Sequence, residues 1–496
     1  MPALLANIIP SLRALRRNAR LYLISNTLQA VTAGAFAVLY VLFLTNLGYG
    51  TDFVGLTLVI GTIGGGLGIL PASMLVARMG FRALLLWSDF VGGVAFALQL
   101  FFPTRPVILL TTLAAGASFA LFLVVNAPFL AANSSEQERT ALFGLNNALG
   151  FLAAVVGSLL GGLLPPAFRA LRLGYGGRLP WLHPLLVHTT EARILQLSLM
   201  ASALIAVPAF IPILFLREEG TVSSHAVLVP GHVRGEEPPA AEVAVQAPLS
   251  RAGKGSGGKG SGGRRGSASR DEATSLAHRL REGLRATLEE ARGVIGRFSV
   301  TQALIGFGAG LYFPYLSVYF VDDLHTTYTF YGVFSAVMTV SLAGASLLSA
   351  PLAARHGKMP VSVIAQILSI PFLLAMGLFP IVWIVSLTLL VRTFLMNIPG
   401  APLQAYLMEA VPENRRVIAS GVYNVSFQLM GALGSGVGGV LFHRLGFQAT
   451  VLIATPFYAV SALLLIVWFG LRHPPRSTDT GDTLSPPLPI EETLTR

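Results

Sequence analysis

Two charged residues lie in apolar stretches where a charge needs a chemical reason. Arg392 is about eleven residues into the apolar run 381–408, so a helical rise of about 1.5 Å per residue puts it roughly 17 Å deep in a bilayer. An arginine at that depth normally faces water or a partner. Its guanidinium offers fork-shaped donors to an anionic or strongly polar ligand. The alternative is a structural pair with carbonyls or with an acid on a neighbouring helix.

Asp89 is the acidic residue that lies clearly inside an apolar run, 83–103. Carboxyl groups at such depth carry protons in pumps and transporters, so Asp89 is a candidate for proton coupling. The alternative is a structural ion pair with Arg78, Arg82 or Arg139, which the same reading of the sequence places near its end of the membrane. The proximity of these arginines favours the ion pair.

Polar residues in other apolar runs are candidates for contacts with a small molecule. Tyr312 and Tyr315 share one helical face with Tyr319, so the three predict a tyrosine stripe. Anchoring at the membrane interface explains the outer tyrosines equally well. The other candidates are Asn26, Gln29, Asn126, Gln302, Asn397 and Gln404.

The sequence lacks the motifs of nucleotide-driven transport and of hydrolytic enzymes. It contains no Gly-x-x-x-x-Gly-Lys-Ser/Thr loop, because Lys254 and Lys259 are each followed by glycine. It also contains no His-Glu-x-x-His or Gly-x-Ser-x-Gly motif, and no cysteine. We therefore expect no enzyme, no cofactor, no metal site and no thiol chemistry.

The elements that position these residues are duplicated at an offset of 277 residues. Arg78 matches Arg355, and Gly80 matches Gly357. The other matching pairs are Arg20 and Arg297, Gly55 and Gly332, Arg139 and Arg416, Gly144 and Gly421, Asn147 and Asn424, Gly157 and Gly434, Gly161 and Gly438, and Gly162 and Gly439. Similar halves rocking about a shared site are typical of transporters. For the glycines of the fifth and eleventh runs, and for Asn147 and Asn424, we predict a role in helix packing.

The composition indicates an all-α membrane protein. The chain has 496 residues, of which 53% are hydrophobic and 11% charged, whereas soluble domains have about 25% charged residues. Apolar runs of about 20 residues span a bilayer as helices. The predicted spans are 21–46, 53–77, 83–103, 106–131, 141–165, 194–216, 298–321, 329–353, 360–379, 381–408, 417–442 and 447–470. They predict twelve transmembrane helices in two pseudo-symmetric six-helix halves.

The predicted boundaries divide the chain into four parts. Residues 1–216 and 298–472 are the two halves, 217–297 is a linker, and 473–496 is a disordered tail. In the linker, 251–270 is basic and rich in Gly and Ser, which predicts flexibility. Leucines at every fourth position over 276–288 predict an amphipathic helix on anionic lipid headgroups, with a solvated tether as the alternative.

The distribution of positive charge predicts the orientation. The net charge is +11, and most arginines and lysines flank the ends of the runs that share a side with both termini. In the short loops of the opposite side, Arg105 and Arg444 are the main exceptions. The longer loop 166–193 places four more arginines on that side, but long loops obey this charge rule less strictly; they are Arg169, Arg172, Arg178 and Arg193. We expect both termini in the cytoplasm, a location in the inner (plasma) membrane, and no nucleic-acid partner. We also expect a monomer.

Two short loops resemble a known family. The sequences Ala-Arg-Met-Gly at 77–80 and Ala-Arg-His-Gly at 354–357 resemble the loop between helices 2 and 3 of the major facilitator superfamily, and its duplicate between helices 8 and 9. The resemblance covers essentially the whole chain. It implies secondary transport by alternating access around a central cavity lined mainly by helices 1, 4, 7 and 10.

The resemblance also implies a cytoplasmic gate at these loops. Its residues would be Arg78, Gly80, Arg82, Arg355, Gly357 and Lys358. The family's loop aspartate, which helps to latch the halves, is replaced by Ala77 and Ala354. Acidic residues at the ends of helices 4 and 10, Glu136 and Glu409 among them, are the candidate partners instead. Exposed ion pairs of this kind contribute about 0–1 kcal/mol each.

Three hypotheses about function remain open. The first is proton antiport that exports drug-like or metabolite molecules, with Asp89 carrying the proton. The second is uptake or facilitated transport of an anionic or polar metabolite through Arg392. The third is a membrane sensor or scaffold that uses its basic linker for partners.

Overall fold

The computed structural model describes residues 15–134, 136–172, 189–216 and 293–470. The predicted amphipathic helix, the predicted tail and most of the predicted linker fall outside the described residues, but residues 293–297 are described and lie at the start of a helix, Val294–Tyr312. Within the described residues the chain is helical and contains no strand. Across the described part of the chain, eleven helices are long and apolar enough to cross a membrane, and the last, Ile418–Phe469, is long enough for two crossings. The fold class predicted from the sequence is confirmed.

We number the twelve crossings α1 to α12. The first half contains α1 (Arg17–Asn46), α2 and α3 (together Thr51–Phe101), α4 (Arg105–Ala132), α5 (Glu136–Arg172) and α6 (Glu191–Ala206, continued to Leu214). The second half contains α7 (Val294–Tyr312, continued to Asp323), α8 (Tyr328–His356), α9 (Lys358–Leu378), α10 (Val382–Asn397 and Gly400–Ala410), and α11 and α12 (together Arg416–Phe469).

Glycines with positive φ reverse the chain where two crossings follow each other almost without a loop. Gly80 has a φ of 76° between α2 and α3, and Gly446 has a φ of 81° between α11 and α12. Gly357, the repeat partner of Gly80, has a φ of 91° between α8 and α9. Residues with a Cβ adopt this region at a cost, so glycine is needed at these reversals.

Glycines also let helices within each half pack closely. A Cβ on Gly157 of α5 would lie 2.0 Å from the carbonyl oxygen of Val31 in α1. In the second half, a Cβ on Gly434 of α11 would lie 2.2 Å from the carbonyl oxygen of Phe307 in α7. The packing role predicted for these repeated glycines is confirmed.

The two halves meet through a pair of equivalent contacts. A Cβ on Gly332 of α8 would lie 2.5 Å from the Cα of Gly162 in α5. Thr329 Oγ1 donates to the carbonyl oxygen of Gly162 at 3.1 Å. Between α2 and α11, Thr51 Oγ1 donates to the carbonyl oxygen of Gly439 at 2.9 Å. Gly162 and Gly439 are repeat partners, so the same type of close contact occurs twice, on the side of the protein opposite the ends of the described chain near Arg17 and Phe469.

The same helices separate toward the side where the described chain starts and ends. A Cβ built on Gly144 of α5 or Gly421 of α11 would meet no atom within 4 Å. The neighbouring Asn147 and Asn424 are exposed. The packing role predicted for these two asparagines is therefore wrong, because the helices diverge before they reach them. The described part of the protein is closed on one side and open on the side where the described chain starts and ends.

Candidate functional site

In the first half, Asp89 is held by a side chain of α1. Gln29 Nε2 donates to Asp89 Oδ2 at 2.8 Å, and Gln29 also contacts Ser25 Oγ at 3.3 Å. Within the described part of the chain, no arginine or lysine forms an ion pair with Asp89. The ion pair that the sequence favoured is therefore wrong. The arginines lie at the helix ends, whereas Gln29 is directly across the helix interface.

Two further hydrogen bonds join α1 to its neighbours. Tyr22 donates to Asn126 Oδ1 of α4 at 2.7 Å. Asn26 Nδ2 donates to Asn146 Oδ1 of α5 at 2.8 Å. The candidates Asn26, Gln29 and Asn126 thus come together around one face of α1, although none of them is fully buried.

In the second half, amide side chains line a cavity of about 270 Å³ between α7, α9, α10 and α11. Gln302 and Tyr423 both line the cavity, and Gln302 Nε2 donates to the Tyr423 hydroxyl. Asn397 and Asn424 donate through Nδ2 to the carbonyls of Thr393 and Ser420 at 2.7 Å and 2.8 Å. A carbonyl oxygen can only accept, so each asparagine must use its NH2 group here, and its amide oxygen has no hydrogen-bond partner among the described residues. Among the described residues, no charged side chain lines this cavity.

Gln366 of α9 also lines this cavity, and it lacks partners. Its side chain is 3% exposed. Neither Oε1 nor Nε2 has a hydrogen-bond partner among the described residues. Buried amides are almost always paired, so this residue needs an explanation.

Arg392 lies inside the second half, away from the amide-lined cavity. It is 4% exposed, and it donates through one terminal nitrogen to the hydroxyl of Tyr312. Its guanidinium carbon is 4.3 Å from the ring centre of Tyr458 in α12. Nε and the other terminal nitrogen have no acceptor among the described residues. The charge is therefore stabilised by two tyrosine rings, which attract cations through their faces.

The predicted tyrosine stripe is buried rather than exposed to the open side. Tyr312, Tyr315 and Tyr319 are each 0% exposed. The regular α-helix ends at Tyr312. A 3₁₀ turn follows at Phe313–Tyr315 and a π turn at Tyr319–Asp323, and Pro314 in the first of these has no N–H to donate. Tyr315 instead donates to the carbonyl oxygen of Ser435 at 2.5 Å, beside the α2–α11 contact.

The predicted gate residues lie at the open side. Arg78 and Arg355 are exposed, and Arg82 donates to the carbonyl oxygen of Leu214 at 2.6 Å. Lys358 forms an ion pair with Glu409. Both residues of this pair belong to the second half, so the pair does not join the halves in this conformation. The side chain of Glu136 lies outside the described residues.

Comparison with protein families agrees with this architecture. Residues 298–495 match the family model described as Major Facilitator Superfamily, and residues 11–172 match that of the MFS_1 like family. The first match covers the second half, and the second match covers α1 to α5 of the first half. The chain belongs to the major facilitator superfamily. It is a transporter and not an enzyme. A search of curated proteins gave no match.

Solved structures of this superfamily share the fold at low sequence identity. A bacterial homologue of the human lysosomal transporter Spinster, in an inward-facing and occupied conformation, has a TM-score of 0.65 and 11% identity, covering 90% of this chain and 95% of that one. The nucleoside transporter NupG has a TM-score of 0.62 and 12% identity, covering 92% and 99%. A D-xylose–proton symporter has a TM-score of 0.59 and 13% identity, covering 93% and 98%.

Sequence reasoning missed five residues of these clusters. They are Tyr22, Asn146, Gln366, Tyr423 and Tyr458. The 277-residue offset could have found three of them, since it pairs Asn146 with Tyr423 and Asp89 with Gln366. Identical residues make a repeat easy to detect, whereas these pairs have diverged, so they gave no match.

Proposed function

We propose that this superfamily transporter is a proton antiporter that exports a small uncharged or cationic molecule, drug-like or metabolite, by alternating access. Asp89 carries the proposal, because it is a largely buried carboxyl without a basic partner among the described residues. Such a carboxyl can take up a proton from one side and release it to the other as the halves rock. Proton coupling also occurs in one structural neighbour, the D-xylose–proton symporter.

The chemistry of the cavity supports an uncharged or cationic substrate. Amide oxygens and aromatic rings line it, and no arginine or lysine does. The basic ends of the helices lie at the open side, which supports a location in the inner membrane with that side and both termini in the cytoplasm. An exporter in this state would load its substrate from the cytoplasm as Asp89 releases its proton. The proposal includes a monomer and a linker that contacts anionic lipids.

Proton release on substrate addition tests this function. Purified protein in detergent is mixed with tetraphenylphosphonium or with uridine in weak buffer containing a pH-sensitive dye. We expect wild type to release protons on binding, and Asp89→Asn to bind without releasing them. Asparagine keeps an oxygen that can accept from Gln29, so the fold should persist. Equal proton release by both proteins would contradict the role of Asp89.

A second candidate function rests on Arg392. Two of its nitrogen groups lack acceptors among the described residues, so an anion that reached them in another conformation would satisfy them. This favours transport of an anionic metabolite. Thermal unfolding with citrate or phosphate distinguishes the two functions, because a ligand that binds the folded state raises its stability. Anions that stabilise wild type but not Arg392→Gln would support the second function.

A further inference from the structure

Gln366 occupies the position in the second half that Asp89 occupies in the first. The two residues are 277 residues apart, on the third crossing of each half. The same offset relates Asn146 to Tyr423. Each of these two accepts a hydrogen bond from the first crossing of its own half, Asn146 from Asn26 of α1 and Tyr423 from Gln302 of α7. The offset pairs Gln302 with Ser25 and not with Asn26, so the polar layout of the first half is repeated in part in the second.

One partner is missing from the repeat. Asp89 accepts a hydrogen bond from Gln29, and the residue 277 positions after Gln29 is Gly306. A Cβ on Gly306 would lie 2.3 Å from the carbonyl oxygen of Phe427, so close packing of α7 on α11 requires glycine there. The side chain that would pair with Gln366 is thus absent, and its amide is left without a partner beside the cavity of about 270 Å³.

The surroundings of Gln366 determine which chemical group can act as its missing hydrogen-bond partner. Gln366 offers an NH2 group with two N–H donors and one oxygen, and Asn397 and Asn424 add free amide oxygens on the same cavity. A carboxylate would face these oxygens without any cation to balance it. A purely apolar group would leave the amide of Gln366 unpaired. An uncharged group with a donor next to an acceptor satisfies both conditions.

We propose that Gln366 is a substrate-binding residue that makes a paired hydrogen bond to an uncharged polar group of the transported molecule, such as adjacent hydroxyls or an amide edge. The substrate forms with Gln366 the hydrogen bond that corresponds to the one between Gln29 and Asp89. This inference rests on the proposed function in taking the cavity as part of the transport path, but it does not depend on the direction of transport or on proton coupling.

Binding to purified full-length protein tests the inference. The probes are uridine and D-xylose, which are uncharged and carry donors beside acceptors, and tetraphenylphosphonium, which carries no donor. Equilibrium binding and thermal unfolding are measured for wild type, Gln366→Leu and Gln366→Met. We expect wild type to bind at least one uncharged probe. Both variants should bind that probe with an affinity at least about tenfold lower. Binding of tetraphenylphosphonium should not change.

The stability of the variants without ligand separates binding from structure. Replacing a buried amide that has no partner by an apolar side chain should leave the unfolding temperature equal or higher. A fall in both variants would mean that the amide has a structural role, and the inference would be overturned. It would also be overturned if neither uncharged probe binds wild type, or if binding is the same in the variants.

Asp89→Asn separates this inference from the proposed function. If proton coupling at Asp89 is wrong, wild type and Asp89→Asn release protons equally, while the loss of binding in Gln366→Leu remains. If the role of Gln366 is wrong, uncharged probes bind Gln366→Leu normally, whatever the result of the proton-release assay.

Discussion

Replacing Gly332 by alanine should open the side of the transporter that is closed in this structure. In the closed contact between α5 and α8, the added Cβ would lie 2.5 Å from the Cα of Gly162 and 2.7 Å from the carbonyl oxygen of Ser158. Both are backbone atoms, so no side-chain rotation can relieve the overlap. The helices must separate.

The size of the effect follows from the cost of overpacking. Adding atoms to a tightly packed contact costs about 1–3 kcal/mol. The cost applies only while α5 and α8 touch on this side, so the conformation that is open here avoids it. A differential cost of about 1–3 kcal/mol shifts a two-state equilibrium roughly 5- to 150-fold. We expect Gly332→Ala to favour the conformation open on the side away from the termini by this factor.

Cysteine labelling measures this shift directly, because the natural chain has no cysteine. The reporter is Ser435→Cys in α11, at a side chain that is 5% exposed. It lies beside the other contact between the halves, so it reports on opening of the whole side and not on local damage near Gly332. We expect a small thiosulfonate reagent to label the reporter faster when Gly332→Ala is present.

Gly344→Ala in the same helix is the matched control. A Cβ there has its nearest neighbour, an atom of the Phe394 ring, at 4.0 Å, so labelling should stay at the level of the reporter alone. Thermal unfolding of each variant verifies the fold. Unchanged labelling in a folded Gly332→Ala protein would refute the view that this glycine contact sets the closed state.

Three other predictions concern stability and access. Tyr312→Phe removes the hydroxyl that accepts a hydrogen bond from Arg392 and should lower the free energy of unfolding by about 1–3 kcal/mol. Tyr319→Phe is the control, because the Tyr319 hydroxyl has only a long contact of 3.5 Å with Gln448 Nε2. Lys358→Gln breaks an exposed ion pair and should change that free energy by less than about 1 kcal/mol in a denaturant titration. Asn424→Cys should be labelled by a membrane-impermeant thiol reagent from the side of the termini alone; labelling from the opposite side would contradict the closed state.

The helices could be predicted from the sequence because membrane insertion leaves a simple signal. A backbone in hydrocarbon must satisfy its own hydrogen bonds, so every crossing is a long apolar run. The structure has helices at every predicted run, and their ends shift by a few residues. Regularity within a run was harder to predict. Pro314 interrupts the predicted run, so Tyr312 and Tyr315 do not share the face of one regular helix, which ends at Tyr312.

The polar contacts could not be predicted in the same way, because they depend on rotation and separation of helices. Asp89 lies within one crossing of several arginines in the sequence, yet its partner is Gln29, which is 60 residues away. Asn147 and Asn424 occupy equivalent places on glycine-rich helices, yet those helices diverge before they reach them. Sequence position gives depth in the membrane, whereas contacts also depend on which conformation of the transport cycle is populated.

The two halves differ in how completely their buried polar groups are paired. In the described part of the first half, one buried side-chain atom without a partner is found, Nε of Arg82 near the membrane surface. The second half has such atoms in Gln366 and Arg392 and in the hydroxyls of Ser317, Ser349 and Ser386. Unpaired buried groups destabilise a fold, so their concentration in one half needs a compensating role. Binding provides one, because a substrate that pairs them gains the free energy that the folded chain lacks. In the proposed function, Asp89 of the first half binds and releases the proton, the second half binds the substrate, and rocking of the two halves couples these events.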